Sequence, residues 1–199
     1  MNRFLRPSTL SLFLLCLVAS FSAGGQTVSP TPEKNLAADN EIKFYSVADR
    51  FYRTGKMATT LFQIGDKKQA AFYAEDLLKQ AETMKTDWYY GNAIHLANLV
   101  LGRVALANGD MDAARGYLTK AGQTPGSPQL NNFGPDMAFA REMLAKGEKQ
   151  AVLDYLKLCS KFWARDNGQL ADWTAIIESG GKPNYGPNLI YFFPTNGSD

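Results

Sequence analysis

Residues 92–122 read NAIHLANLVLGRVALANGDMDAARGYLTKAG and contain two helical patterns on either side of a glycine turn. Apolar and small residues recur every three or four positions before the turn and again after it, which is the spacing of one helix face. Asn108-Gly109 ends the first pattern, and Asp110 can cap the second. This stretch therefore predicts two helices that fold back on one another.

The same turn signal occurs at Gly65-Asp66 and at Gly147-Glu148, each time between two helical patterns. Helix, tight turn and helix at a near-regular spacing is typical of solenoids, which mostly hold partners instead of transforming them. We predict an all-α fold, a short right-handed α-solenoid of about three antiparallel helical hairpins. Helical caps are expected at residues 36–54 and 170–178.

Glycine and proline set the remaining boundaries. Thr54-Gly55 is expected to end the first helix, and the Gly/Pro-rich residues 122–135 are expected to form a loop. Residues 36–179 form the predicted helical domain, and residues 180–199 an extended C-terminal tail. The tail contains a dense apolar run, residues 189–193, which we expect to lie on the helices, where it either seals the last hairpin or fills a groove.

The N-terminus has the pattern of a secretory signal. Arg3 and Arg6 precede an apolar run, and small residues follow it, so residues 1–23 are predicted to be a signal peptide and residues 24–35 a flexible linker. The apolar run is shorter than the roughly 20 residues that cross a bilayer, which argues against a stable membrane anchor. The sequence therefore predicts a secreted or periplasmic protein.

The charge of the chain argues against a nucleic-acid-binding protein, and its cysteine content argues against a protein stabilised by disulfides. The chain has 21 basic and 19 acidic residues, and the basic excess of two lies in Arg3 and Arg6 of the predicted signal. A near-neutral mature chain argues against nucleic acid as a ligand, because phosphate binding needs a basic surplus on one face. Only Cys159 remains after signal removal, so stability must come from apolar burial and not from an intramolecular disulfide.

The central unit resembles the tetratricopeptide repeat. The positions that carry the resemblance are Leu101-Gly102, Ala105, Ala114, Leu118, Ala121 and Pro125. The match covers about 34 residues. It departs from the family pattern at Asn98, which replaces an early aromatic residue, and at Ala105, which replaces a later tyrosine. The resemblance implies an interaction protein that binds a peptide or protein segment.

The resemblance also implies where a binding groove would lie. In this family the residue after the small residue of the first helix points into the concave groove, and here these residues are Arg103 and Arg141. Two stacked arginines could hold a carboxylate or an acidic peptide, with intramolecular pairing or plain solvation as the alternatives. Leu99, Leu106 and Leu144 would form the apolar wall of this groove.

Candidate catalytic residues are few. His95 is the only histidine, which excludes a histidine-based metal cluster, and we expect it to be structural, at the surface or half-buried. A nucleophilic pair of Cys159 and His95 can be imagined, but Cys159 occupies a position that packs between helices, and buried thiols are inert. We expect no catalytic residue, no metal and no cofactor.

Two other features have a functional and a structural interpretation. The pair Asp110/Asp112 could suggest glycosidase chemistry, but acids at a helix start usually cap the helix. The aromatic link Trp88-Tyr89-Tyr90 could stack on sugars, or it could pack between adjacent hairpins. The sequence thus favours an exported interaction or scaffold protein. The alternatives are an envelope carbohydrate-active or hydrolytic enzyme, and a structural protein that self-associates into homo-oligomers.

Overall fold

The structure, a computed structural model, describes residues 46–189. The predicted signal peptide (1–23), the linker (24–35), the first part of the predicted N-terminal cap and the end of the tail (190–199) lie outside the described residues. Within residues 46–189 the chain is helical and has no strand, so the all-α prediction is confirmed for this part of the molecule.

Eight α-helices and a short 3-10 helix make up the described range. They are α1 (Val47–Gln63), α2 (Lys67–Thr83), α3 (Tyr90–Ala107), α4 (Met111–Gly122), α5 (Pro128–Phe133), α6 (Ala138–Ala145), α7 (Lys149–Cys159), α8 (Gln169–Glu178) and the 3-10 helix Gly186–Leu189. None of the helices in this range is long and apolar enough to cross a membrane.

Three helix pairs are joined by turns of the same geometry. Gly65, Gly109 and Gly147 hold φ angles of +89°, +80° and +86°, in the left-handed region that favours glycine after a helix end. At each turn the next residue donates its N–H to the carbonyl five positions back, over 2.9–3.1 Å. Asp66 and Asp110 then cap the following helices through their side chains.

Helices joined by these turns contact each other: α1 packs on α2, α3 on α4, and α6 on α7. The pairs also contact one another, because α2 packs on α3 and α4 on α7, and α8 packs on α7. Helix α3 lies at the centre and contacts α1, α2, α4, α5 and α6. Two thirds of its residues are consequently buried, including polar ones.

The predicted break at Thr54-Gly55 is wrong, because α1 continues through both residues. The hydroxyl of Thr54 donates to the carbonyl of Arg50 over 2.8 Å, which satisfies it inside the helix. Gly55 is required by packing, since a β-carbon there would overlap the hydroxyl of Tyr89. The predicted cap of residues 36–54 therefore ends inside α1.

The predicted loop of residues 122–135 also needs correction, because it contains the short helix α5. Ser127 caps this helix by accepting the N–H of Leu130 over 3.0 Å, and Pro128 occupies its first turn, where the missing N–H costs nothing. The side chain of Leu130 is fully buried. The segment thus contributes to the core.

The beginning of the predicted tail packs back onto the helices. The ring of Tyr185 is buried and lies 5.0 Å from the ring of Trp173 on α8, measured between centroids. The side-chain amide of Asn188 donates to the backbone carbonyls of Phe133 and Pro135 over 2.9 and 2.8 Å. The backbone carbonyl of Asn188 accepts the N–H of Met137 over 2.7 Å. Up to Leu189 the tail therefore closes the connection between α5 and α6. Residues 190–193 of the predicted apolar run lie outside the described range.

Candidate functional site

Arg103 does not present an open positive charge. Its guanidinium, on α3, donates to both carboxylate oxygens of Glu142 on α6, with Nε 2.9 Å from Oε2. It also lies 4.5 Å from the centroid of the Phe62 ring, and its side chain is only 15% exposed. The intramolecular alternative therefore applies to Arg103, whose charge is compensated within the chain.

The other predicted groove residues separate into two groups. Leu99 is fully buried in the core, so its predicted place on a groove wall is wrong. The reason is the central position of α3, which has helices on several sides. Leu106 and Leu144 are half-buried at the edge of the core, and Arg141 is half-buried and makes contacts of its own.

His95 is completely buried, and the expectation of a surface or half-buried side chain is wrong. Its Nδ1 lies 3.0 Å from the carbonyl of Ala121, and the N–H of Asp136 donates to its Nε2 over 3.3 Å. Because Nε2 accepts, the proton lies on Nδ1 and is donated to Ala121. Burial lowers the pKa of His95 to about 4. The imidazole therefore joins α3 to the end of α4 and to the segment before α6.

Cys159 is fully buried, as predicted. Burial raises the pKa of its thiol well above the usual range. One turn earlier on α7, the hydroxyl of Tyr155 donates to the carbonyl of Asp136 over 3.3 Å. The ring of Tyr155 is in turn stacked on His95, with centroids 6.4 Å apart. A thiol in this environment is neutral and inaccessible, which is the opposite of an activated nucleophile.

The contacts of the aromatic link and of the acidic pair favour the structural interpretation for Tyr89 and for Asp110. Tyr89 is buried and packs edge-on against Phe51 of α1, at 5.4 Å between centroids, so it fills the space between helices. Trp88, next to it, is 59% exposed. Asp110 caps α4, and Asp112 pairs with Arg115. Residues 46–189 contain no cluster of three or more His, Cys, Asp or Glu side chains that could hold a metal.

An open cleft, which we call the α3 cleft, lies between α2 and α4 over one face of α3. Its floor is one face of that helix, and α2 and α4 form its walls. The volume is about 600 Å³. The lining residues are Glu75, Leu78, Ala81, Glu82 and Lys85 from α2 and its end, Tyr90, Ile94, Asn98 and Leu101 from α3, and Tyr117, Lys120 and Gln123 from α4 and its end.

Asn98 is the unusual residue of this floor. Its side chain is buried, with 3% of the residue exposed, and its Nδ2 donates to the carbonyl of Ile94 over 2.8 Å. Its Oδ1 has no hydrogen-bond partner among residues 46–189. Buried polar atoms in native proteins nearly always have a partner, so an acceptor without one beside a cleft indicates a place for a donor.

The rim of the α3 cleft carries charges of both signs. Glu75 and Glu82 lie on α2, Lys85 follows its end, and Lys120 lies in the last turn of α4. None of the four forms an ion pair with another residue of the described range; Lys120 lies 5.2 Å from the centroid of the Tyr117 ring. The cleft therefore combines an apolar floor with charges that are free to meet a ligand.

A larger cleft of about 920 Å³ lies between α7 and α8. It also contains a buried polar atom without a partner in the described part of the chain, the indole Nε1 of Trp163. That indole has a packing role, since it lies 5.6 Å from the ring of Trp173 and a β-carbon on Gly134 would overlap it. The α3 cleft has the stronger combination of features.

The α3 cleft was not predicted from the sequence. The available signal was the spacing of Tyr90, Ile94, Asn98 and Leu101, which places one polar residue in an otherwise apolar helix face. Comparison of the chain with protein-family models, curated proteins and solved structures gives no match. The resemblance to the tetratricopeptide repeat consequently stays a prediction.

Proposed function

We propose that this protein is an interaction module that binds a peptide or protein segment in the α3 cleft. The observation that carries the proposal is the unpartnered Oδ1 of Asn98 in an apolar floor. Ligand sites are typically apolar and contain a small number of placed polar groups, and this cleft has that composition. Leu78, Ile94 and Leu101 supply its apolar contacts.

A polypeptide fits the cleft better than other ligand classes. Two acidic and two basic side chains line the rim, so the local charge is balanced. A polyanion such as nucleic acid would meet Glu75 and Glu82 as well as the lysines, and the chain as a whole has no basic surplus to compensate. A segment with apolar side chains and charges of both signs complements the floor and the rim together.

The wider arrangement belongs to the same proposal. We infer that the three glycine-turn pairs stack as a short right-handed solenoid of the tetratricopeptide type. Support comes from the equal turn geometry and from two Arg–Glu contacts between neighbouring pairs, Arg103 with Glu142 and Arg115 with Glu148. Export to a secreted or periplasmic location is proposed from residues 1–23 alone.

The proposal is tested by selecting ligands for the purified protein from a random peptide library. Leu78→Asp places a charge in the apolar wall and should abolish capture of the selected peptides. Ile64→Asp is the matched control, because Ile64 is 72% exposed and lies outside the cleft. A photo-crosslinking amino acid at position 78, but not at position 64, should label the peptides.

Several results would contradict the proposal. If Leu78→Asp captures the peptides as well as the unchanged protein does, they bind elsewhere. If no peptide is recovered and sedimentation shows a stable dimer that Leu78→Asp dissociates, a second copy of this chain occupies the cleft. Circular dichroism of both variants must show unchanged helicity for the comparison to hold.

A further inference from the structure

We infer that Asn98 determines the specificity of the α3 cleft by accepting a hydrogen bond from a backbone N–H of the bound segment. The inference rests on the proposed function and adds the chemistry that the ligand must bring. The cleft contains other polar groups, but they are charged side chains on its rim. Asn98 lies in the floor, where the ligand is removed from water and a hydrogen bond contributes most to selectivity.

The orientation of the Asn98 amide is determined by its surroundings. Nδ2 donates to the carbonyl of Ile94 over 2.8 Å, and the reversed amide would place two oxygens against each other. Oδ1 is therefore the atom left over, and it can only accept. The ligand group that meets it must be a donor, which excludes a carboxylate, an ether or a carbonyl oxygen at this position.

The apolar surroundings indicate which donor it is. Ile94 and Leu101 lie about one helical turn on either side of Asn98 on α3, and Leu78 lines the same cleft from α2. A charged ammonium group would lose its hydration there and meet no carboxylate in the floor itself. A peptide N–H is neutral, and it is followed by a side chain that can be apolar. We therefore expect an apolar residue in the segment beside the N–H that reaches Asn98.

Access to Oδ1 requires a small adjustment of the cleft. The atom is buried in the structure, while the rings of Tyr90 and Tyr117 line the same cleft and are half-buried. The proposal requires one of these rings to turn aside when the segment binds. Side-chain changes of this size are common when partners bind.

A purely structural role would favour a different residue at position 98. The helix bond from the backbone N–H of residue 98 to the carbonyl of Ile94 does not depend on the side chain. Leucine has the same number and branching of side-chain heavy atoms, and it leaves no acceptor unpaired. Asn98→Leu should therefore raise the melting temperature of the free protein, while it weakens binding of the selected peptides by about 10- to 100-fold.

The decisive experiment combines the variant with modified peptides. Each backbone nitrogen of a selected peptide is methylated in turn, which removes one N–H at a time. One methylated peptide should bind the unchanged protein about 10- to 100-fold more weakly, yet show no further loss with Asn98→Leu, because both changes remove the same hydrogen bond. Asn98→Ala is the second variant and should show the same coupling if Asn98→Leu folds poorly.

Three outcomes would overturn the inference. In the first, Asn98→Leu binds the selected peptides as tightly as the unchanged protein does, while Leu78→Asp fails to capture them. This result would remove the role of Asn98 and leave the proposed function intact. Binding that tolerates methylation at every position would exclude a backbone donor. Failure of the peptide selection itself would remove both proposals.

Discussion

The guanidinium of Arg103 on α3 and the carboxylate of Glu142 on α6 form a two-pronged pair that joins the second and third glycine-turn helix pairs. Both side chains are partly buried, and the cation also lies over the ring of Phe62. Paired, planar contacts of this kind are the stronger class of ion pair. The sequence predicts Arg103 as a residue that binds a partner, whereas in the structure its guanidinium links two helix pairs of the fold.

A double-mutant cycle should measure this role. Arg103→Ala and Glu142→Ala should each lower the free energy of unfolding, and their coupling should be about 1–2 kcal/mol in chemical denaturation. Arg115 and Glu148 provide a control pair of the same type. Since Arg115 is 44% exposed, its coupling should be smaller and should fall more with added salt. Additive losses for Arg103 and Glu142 would show that the pair contributes nothing.

The free energy of unfolding should decrease as the pH is lowered, because of His95. Its pKa is about 4 in the folded chain and about 6.5 when unfolded, so between these values the unfolded state binds more protons. The loss begins below pH 6.5 and is complete near pH 4, where it reaches about 3 kcal/mol.

The single histidine makes this prediction specific. His95→Gln should be less stable than the unchanged protein at pH 7, but its stability should change less between pH 6.5 and 5, above the range where carboxylates titrate. The measurement is urea unfolding at a series of pH values. Parallel pH profiles for the two proteins would mean that His95 is not held neutral by the fold.

The turn glycines should be sensitive to alanine for conformational reasons alone. Gly109 and Gly147 have positive φ, and a β-carbon at either would meet nothing within 4 Å. Gly109→Ala and Gly147→Ala should each cost about 1 kcal/mol in thermal or chemical unfolding.

The chain offers a control for this effect in Gly116. It lies inside α4, where a β-carbon also has open space and the backbone is helical. Gly116→Ala should stabilise the protein by about 0.5–1 kcal/mol. If Gly109→Ala and Gly147→Ala stabilise the protein as Gly116→Ala does, the turns do not depend on left-handed glycine.

Cys159 should be unreactive in the folded protein. In a Cys16→Ser background it is the only thiol, and burial keeps it protonated and out of reach. Ellman's reagent should react slowly in buffer and rapidly after denaturant is added. Fast reaction without denaturant would mean that α7 opens easily from the core.

Local features of the fold were predictable from the sequence because each depends on neighbours along the chain. The turn at Gly109 and the cap formed by Asp110 depend on hydrogen bonds that each span no more than six residues. The same holds at Gly65-Asp66. Helix α8 was likewise placed to within one residue of its start. The helix end predicted at Thr54-Gly55 is wrong. Gly55 lies inside a helix, where packing against Tyr89, a residue far along the chain, explains the glycine.

The sequence by itself determined the all-α class, the positions of the turns and the burial of Cys159, since helix periodicity and turn chemistry are local properties. Only the tertiary structure decided the environment of α3. Packing of neighbouring helices on several sides of α3 buries His95 and Leu99, directs Arg103 to Glu142 and leaves Asn98 at the floor of a cleft. Contacts between residues distant in sequence depend on which helix faces meet, and a helix pattern states only that a face exists.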